Sequence, residues 1–190
     1  LTALVALVSD DAVAALGIGN RINSLVFLPA LGLARGTETV VGQNLGSEQP
    51  GRAKRAVGYS SGMIAVVLAG VGAVAYLFAE PLTAVFIPGE PNVIAIGADY
   101  LRIIGPTFLF LGVFRIVQGA FRGSGSTRTA MAFAILSLWV FRLPPAYVLL
   151  TETALGASAV WYGIALSNVL AMVVAVLWFL RGTWTENVVE

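Results

Sequence analysis

The sequence contains no cysteine and no histidine, and its single lysine is Lys54. Disulfides, thiolate or imidazole metal sites and Cys/His catalysis are therefore excluded from these residues. Charge is scarce: 11% of the 190 residues are Asp, Glu, Lys or Arg, and 11 basic against 10 acidic groups leave a net charge of +1. So balanced a chain carries no electrostatic footprint for nucleic acid or for a strongly acidic partner. The basic residues other than Lys54 are all arginine, a usage that fits a GC-rich coding bias.

What fills the space is apolar. Hydrophobic residues make up 58% of the chain, and the mean hydropathy is +0.88. That excludes a soluble domain with a charged surface. A bilayer span needs about 20 mostly apolar residues, and such runs occupy 12–45, 56–79, 93–121, 129–150 and 155–180, with an incomplete run at 1–8. The expected fold class is all-α: a polytopic membrane helix bundle of about six transmembrane helices, multi-pass in the plasma membrane. Leu1 is not a methionine and lies inside an apolar run with no basic segment before it, so the chain is read as a piece of a longer one. There is no internal repeat and no low-complexity segment.

The loops alternate in charge. Asp10 and Asp11 follow the first run; GSEQPGRAKRA carries Arg52, Lys54 and Arg55 against Glu48; AEPLTAVFIPGEPN holds Glu80 and Glu90 and no base. FRGSGSTRT then has Arg122 and Arg128, LTETALG has Glu152, and the last run closes on Arg181. Basic loops face the cytoplasm, which sets an orientation for every span. Pro29, Pro106 and Pro144–Pro145 are expected to kink or break three helices. Small-xxx-small spacing at Gly32/Gly36, Gly42/Gly46, Gly58/Gly62 and Gly119/Gly123 permits close helix contact.

Seven charges remain inside the runs. Arg21, Asp99 and Arg102 lie close to span ends and read as interface anchors. Arg35, Glu38, Arg115 and Arg142 lie deeper, at roughly 10–20 Å from the basic ends. A charge at that depth costs at least about 2.5–3.5 kcal/mol unless paired or hydrated. Arg35 and Glu38, one turn apart, are expected to neutralise each other. Arg115 and Arg142 find no partner in the sequence, so they call for a water-filled cavity or for carboxylates from a segment outside it. Intramembrane ionisable groups facing a cavity mark transport pathways, and Gln43, Asn44 and Gln118 are candidates to line the same one. The reading assigns Glu38 a role in transport, with Arg35 holding it in place.

The runs GIGNRI and PALGLARGTETVVGQNLGSEQPGRAKRAV resemble the eighth helix and following cytoplasmic loop of the multidrug and toxic compound extrusion (MATE) transporters. YLRIIGPTF…FRGSGSTRTAM is similar to that family's tenth helix and next loop, and FRLPPAYVL…LGASAVWYGIALSNV…WFLRGTW to its eleventh and twelfth helices. The resemblance implies twelve helices in two six-helix lobes around a central cavity. Residues 1–190 would then be the C-terminal lobe, from the end of helix seven to the tail, with the N-terminal lobe as its partner. It also implies a secondary antiporter, not an enzyme, exporting small organic and often cationic compounds in exchange for protons or sodium ions, with no other cofactor. Two departures stand out. Ser126 and Ala130 replace the Asp and Pro usual in the loop, which loosens its cap and turn. No acid occurs in 103–121, where members that couple through this lobe carry one, and this leaves Glu38 as the candidate coupling group. Two other readings stay open: a lipid-linked oligosaccharide flippase of the same superfamily, whose anionic substrate suits the excess of arginine, and an intramembrane lipid-phosphate enzyme, which needs carboxylates for Mg²⁺ or a nucleophile.

Overall fold

The computed structural model describes residues 1–185, and every regular element among them is helical. Residues 186–190, the tail assigned to this lobe, lie outside the described residues. The chain opens on a short helix, α1 (Thr2–Ala6). Ser9 then accepts a 3.1 Å hydrogen bond from the Ala12 amide and caps α2 (Asp10–Gly46). Asp10 and Asp11 occupy the first turn, where the helix dipole favours negative charge. The 37 residues of α2 run for about 55 Å, more than the ~40–45 Å depth of a whole bilayer.

Residues 47–49 turn the chain into α3 (Pro50–Leu77), whose first position is a proline that has no N–H to orphan. The expected start at 56 is therefore six residues late, and Arg52, Lys54 and Arg55 sit on the opening turns of a helix rather than in a loop. AEPLTAVF, read from the sequence as loop, instead forms α4 (Ala79–Phe86), which buries Ala79 and Thr83 against α5 (Pro91–Ile104). A 3₁₀ turn at Gly105–Thr107 joins α5 to α6 (Phe108–Gly123). After a short turn come α7 (Thr127–Ile135), a π-helical turn at Leu136–Val140, α8 (Leu143–Glu152) and α9 (Ala157–Leu180).

Five segments are long and apolar enough to span a membrane: Asp10–Gly46, Pro50–Leu77, Pro91–Gly123, Thr127–Glu152 and Ala157–Leu180. Each corresponds to a run expected from the sequence, and residues 1–8 supply only α1. The prolines act unequally. Pro106 sits in the 3₁₀ turn, and Pro144 and Pro145 stand in the first turn of α8, where they leave carbonyls of the preceding turn without amide donors. The chain relaxes there into the wider spacing, with the Phe141 amide reaching the Leu136 carbonyl at 2.9 Å. Pro29 lies within α2, which continues through it, so of the kink or break expected there the helix does not break.

The centre is α6, which touches α2, α3 and α9. Lipid tails are as apolar as a buried leucine, so close backbone approach must replace the hydrophobic drive. Gly119 and Gly123 provide it: a Cβ on Gly119 would lie 2.5 Å from the Ala34 carbonyl oxygen, and one on Gly123 would overlap the Glu38 carbonyl. Of the four glycine pairs, this one and Gly42, whose Cβ would lie 3.2 Å from the Gly123 carbonyl oxygen, form the α2–α6 seam. Gly32, Gly36, Gly58 and Gly62 have open space where a Cβ would go. The outer faces carry exposed Tyr59, Met63, Val66, Met131, Trp139 and Tyr147, a surface suited to lipid.

Candidate functional site

A polar cleft of about 540 Å³ lies between α2, α6 and α9, lined by Asn20, Asn23, Ser24, Phe27, Arg115, Arg142 and Asn168 among others. A recess of about 90 Å³ opens from the same two arginines and adds Ser137 and Ser167. The polar wall of α2 follows from spacing: Asn20, Asn23, Ser24 and Phe27 fall at i, i+3, i+4 and i+7, one face of a helix. Tyr100 of α5 sets part of that wall. Its ring lies on Gly19, where a Cβ would come within 2.5 Å of it. Its hydroxyl accepts from the Asn23 side-chain amide, and it meets Trp161 edge-on at 4.9 Å.

Arg142 emerges where the π turn ends. Its Nε donates to Ser167 Oγ at 2.9 Å and its Nη2 to Asn168 Oδ1 at 3.1 Å. These acceptors are held from behind. Ser167 donates to the Ile164 carbonyl at 2.7 Å, Asn168 donates to Thr107 Oγ1 at 3.0 Å, and Thr107 donates to the Ile104 carbonyl at 2.7 Å. Arg115 donates from Nη1 to Gln118 Oε1 at 3.1 Å, and buried Gln118 donates in turn to the Ala130 carbonyl at 3.3 Å. The Arg115 guanidinium stacks over Phe27 at 4.6 Å from the ring centre, a cation–π contact. Its Nε is buried with no acceptor among the described residues.

The sequence left Arg115 and Arg142 without partners, and here the structure corrects it: both have neutral ones, from a helix turn away on α6 and from α9. The Arg35–Glu38 pair is a second correction. Glu38 Oε2 accepts from Arg122 Nε at 2.9 Å, while Arg35 is exposed. The reason is geometric. The face of α2 packed on its neighbours runs through Ala34, Thr37 and Val41; Glu38 flanks it, and Arg35 lies about 60° further round the helix. Gly123 rests directly on the Glu38 backbone, so the adjoining Arg122 reaches the carboxylate. Glu38, Arg35 and Gln43 are absent from the cleft lining, and Gln43 is exposed. Asn44 lines a separate hollow with Arg52 and Arg55. Of the expected interface anchors, Arg21 is exposed, and Arg102 bonds Glu80 at 2.8 Å and approaches Asp99 at 3.8 Å.

Five membrane-length helical segments, four of which line a polar, arginine-bearing cleft, define a multi-pass membrane protein. The MatE family model matches residues 1–148, and the chain belongs to that family. It is 33% identical over 175 residues to the probable multidrug resistance protein NorM of Thermotoga maritima, covering 90% of this chain and 37% of the relative. It is 28% identical over 175 residues to the probable multidrug resistance protein YpnP of Bacillus subtilis, covering 92% of this chain and 39% of the relative. The fold matches an outward-facing multidrug resistance MATE family transporter of the MOP superfamily with a TM-score of 0.89 and 26% identity, over 98% of this chain and 42% of that one. An inward-facing MATE family structure gives a TM-score of 0.85 at 24% identity, over 94% of this chain and 41% of that one. The chain thus spans well under half the length of the relatives it matches.

Proposed function

We propose that these residues are the C-terminal lobe of a secondary antiporter that exports small organic compounds in exchange for protons or sodium ions. A second lobe facing the cleft would complete the cavity. The observation that carries this reading is the cleft itself: Asn20, Asn23, Ser24, Arg115, Arg142 and Asn168 converge between membrane spans, where polar groups are costly unless they serve a water-filled path. The names of the relatives agree with export and with a non-enzyme. The coupling group is a separate matter. Glu38, the candidate from the sequence, is held by Arg122 away from the cleft, so coupling through this lobe would act on the α2–α6 contact rather than on bound substrate.

The flippase reading draws on one observation, that the cleft offers two guanidinium groups and no carboxylate among its lining residues. Size separates the two. A cleft of about 540 Å³ suits a drug-sized molecule, and a lipid-linked oligosaccharide would need much more from the second lobe. The test is dye movement in energised everted vesicles carrying the complete transporter, with ethidium and fluorescein as probes. Uptake of either dye that collapses with a proton or sodium ionophore is expected. No uptake of either dye, with translocation of a lipid-linked sugar instead, would move the assignment to the flippase.

A further inference from the structure

We propose that the cleft takes the oxyanion of its substrate, a carboxylate or phosphate, on Arg115 and Arg142; this rests on the exporter reading above. The hydrogen-bond partners of the two guanidiniums are neutral: Gln118 for Arg115, Ser167 and Asn168 for Arg142. Among the described residues the carboxylates are engaged elsewhere or stand at helix ends. Glu38 holds Arg122, Glu80 and Asp99 hold Arg102, and Asp10, Asp11, Glu48, Glu90 and Glu152 lie at or beside helix termini. Two cations in a membrane interior without counter-ions cost several kcal/mol, a cost that a bound anion would offset.

Donor geometry points the same way. Each guanidinium has five N–H groups in a planar fork. The Arg142 fork spends Nε and one Nη2 hydrogen on Ser167 and Asn168, which fix its plane through the relay to Thr107 and Ile104. Arg115 is clamped by Phe27 and Gln118, and its Nε is buried with no acceptor among the described residues. The recess of about 90 Å³ that both arginines line has room for a carboxylate or phosphate group. The larger cleft, with Phe27, Leu28, Leu111 and Ile164 on its walls, receives the apolar body. A permanent cation in the same place would meet two like charges.

Fluorescein and a cationic rhodamine ester share one ring system and differ in charge, so they make a matched pair of probes. The complete transporter, purified in uncharged detergent, should raise the anisotropy of fluorescein. Arg115→Gln and Arg142→Gln should each weaken fluorescein binding by about ten-fold or more, the loss of one charge-assisted contact, and leave rhodamine binding equal or tighter. Arg142→Lys should restore part of the affinity. Asn20 is exposed on the cleft wall, so Asn20→Asp keeps the fold and should also weaken fluorescein while favouring rhodamine. Displacement by short-chain phosphatidic acid identifies a lipid headgroup as the oxyanion source, and displacement only by soluble aryl carboxylates or phosphates identifies a soluble one. Fluorescein affinity equal in wild type, Asn20→Asp and the double Arg→Gln variant, or no binding by wild type, overturns the proposal. Vesicle uptake separates the two levels: rhodamine pumped without any oxyanion binding sinks this site and leaves the exporter, whereas fluorescein bound with no dye pumped keeps the site and sinks the exporter.

Discussion

Glu38 shows how a charge in a membrane span chooses among neighbours. Arg35 is closer in sequence, yet Arg122, 84 residues away, takes the carboxylate at 2.9 Å because the seam brings its helix onto Glu38. Both side chains remain about one-third exposed, at 33% and 35%, so their coupling should be modest, about 0.5–1 kcal/mol. A double-mutant cycle on thermal stability in detergent checks this with Glu38→Gln, Arg122→Gln and Arg35→Gln. Coupling of Glu38 to Arg122 and none to Arg35 is expected; the reverse would restore the local pair. The same region shows what a sequence conceals. Arg122 reads as a loop charge in FRGSGSTR, and nothing in its spacing announces a partner so distant. The cleft was half legible. Arg115, Arg142 and Gln118 stand out because charge or amide in an apolar run is costly. Asn20, Asn23, Ser24, Ser167 and Asn168 carry no charge and pass as ordinary polar residues, although Asn at i and i+3 followed by Ser at i+4 was a signal that weighing neutral groups would have found.

At the scale of elements, the spans were legible because a bilayer imposes length and hydropathy together. Their ends were less so. Pro50 starts α3 six residues before the apolar run begins, since a proline at the first helical position and a polar opening turn are both compatible with helix. α4 is apolar but too short to span, and its packing on α5 decides its structure. The glycine pairs looked alike in sequence and differ in what faces them. Gly119→Val should destabilise the lobe by about 1–3 kcal/mol, since its Cβ meets backbone that cannot yield. Gly58→Ala, with nothing near its Cβ, should be neutral or gain up to about 1 kcal/mol in helix propensity. Melting temperatures of the two variants in one detergent make the comparison, and equal losses would remove the seam from the account of α2–α6 packing.

At the scale of the whole molecule, five spans place the ends at Gly46, Gly123 and Leu180 on one side and those at Asp10, Leu77, Pro91 and Glu152 on the other. The first set adjoins Arg52, Lys54, Arg55, Arg128 and Arg181, so it should face the cytoplasm. With no native cysteine in these residues, Ser47→Cys and Thr153→Cys, both at exposed positions, read the two sides in intact cells. An impermeant maleimide should label Thr153→Cys and spare Ser47→Cys, and the opposite pattern would invert the assignment. The fourth span, Thr127–Glu152, is the least buried of the five, yet it delivers Arg142 inward, and its wide turn explains how. A π turn inserts one residue into the helical count, which shifts the phase of everything after it by about 100°. Trp139 keeps the outward bearing, 65% exposed, and Arg142 comes round to Ser167 and Asn168. The span is thus two helices in different phase, and removing a single residue from 136–140 would turn Arg142 and the whole of α8 out of step with α9.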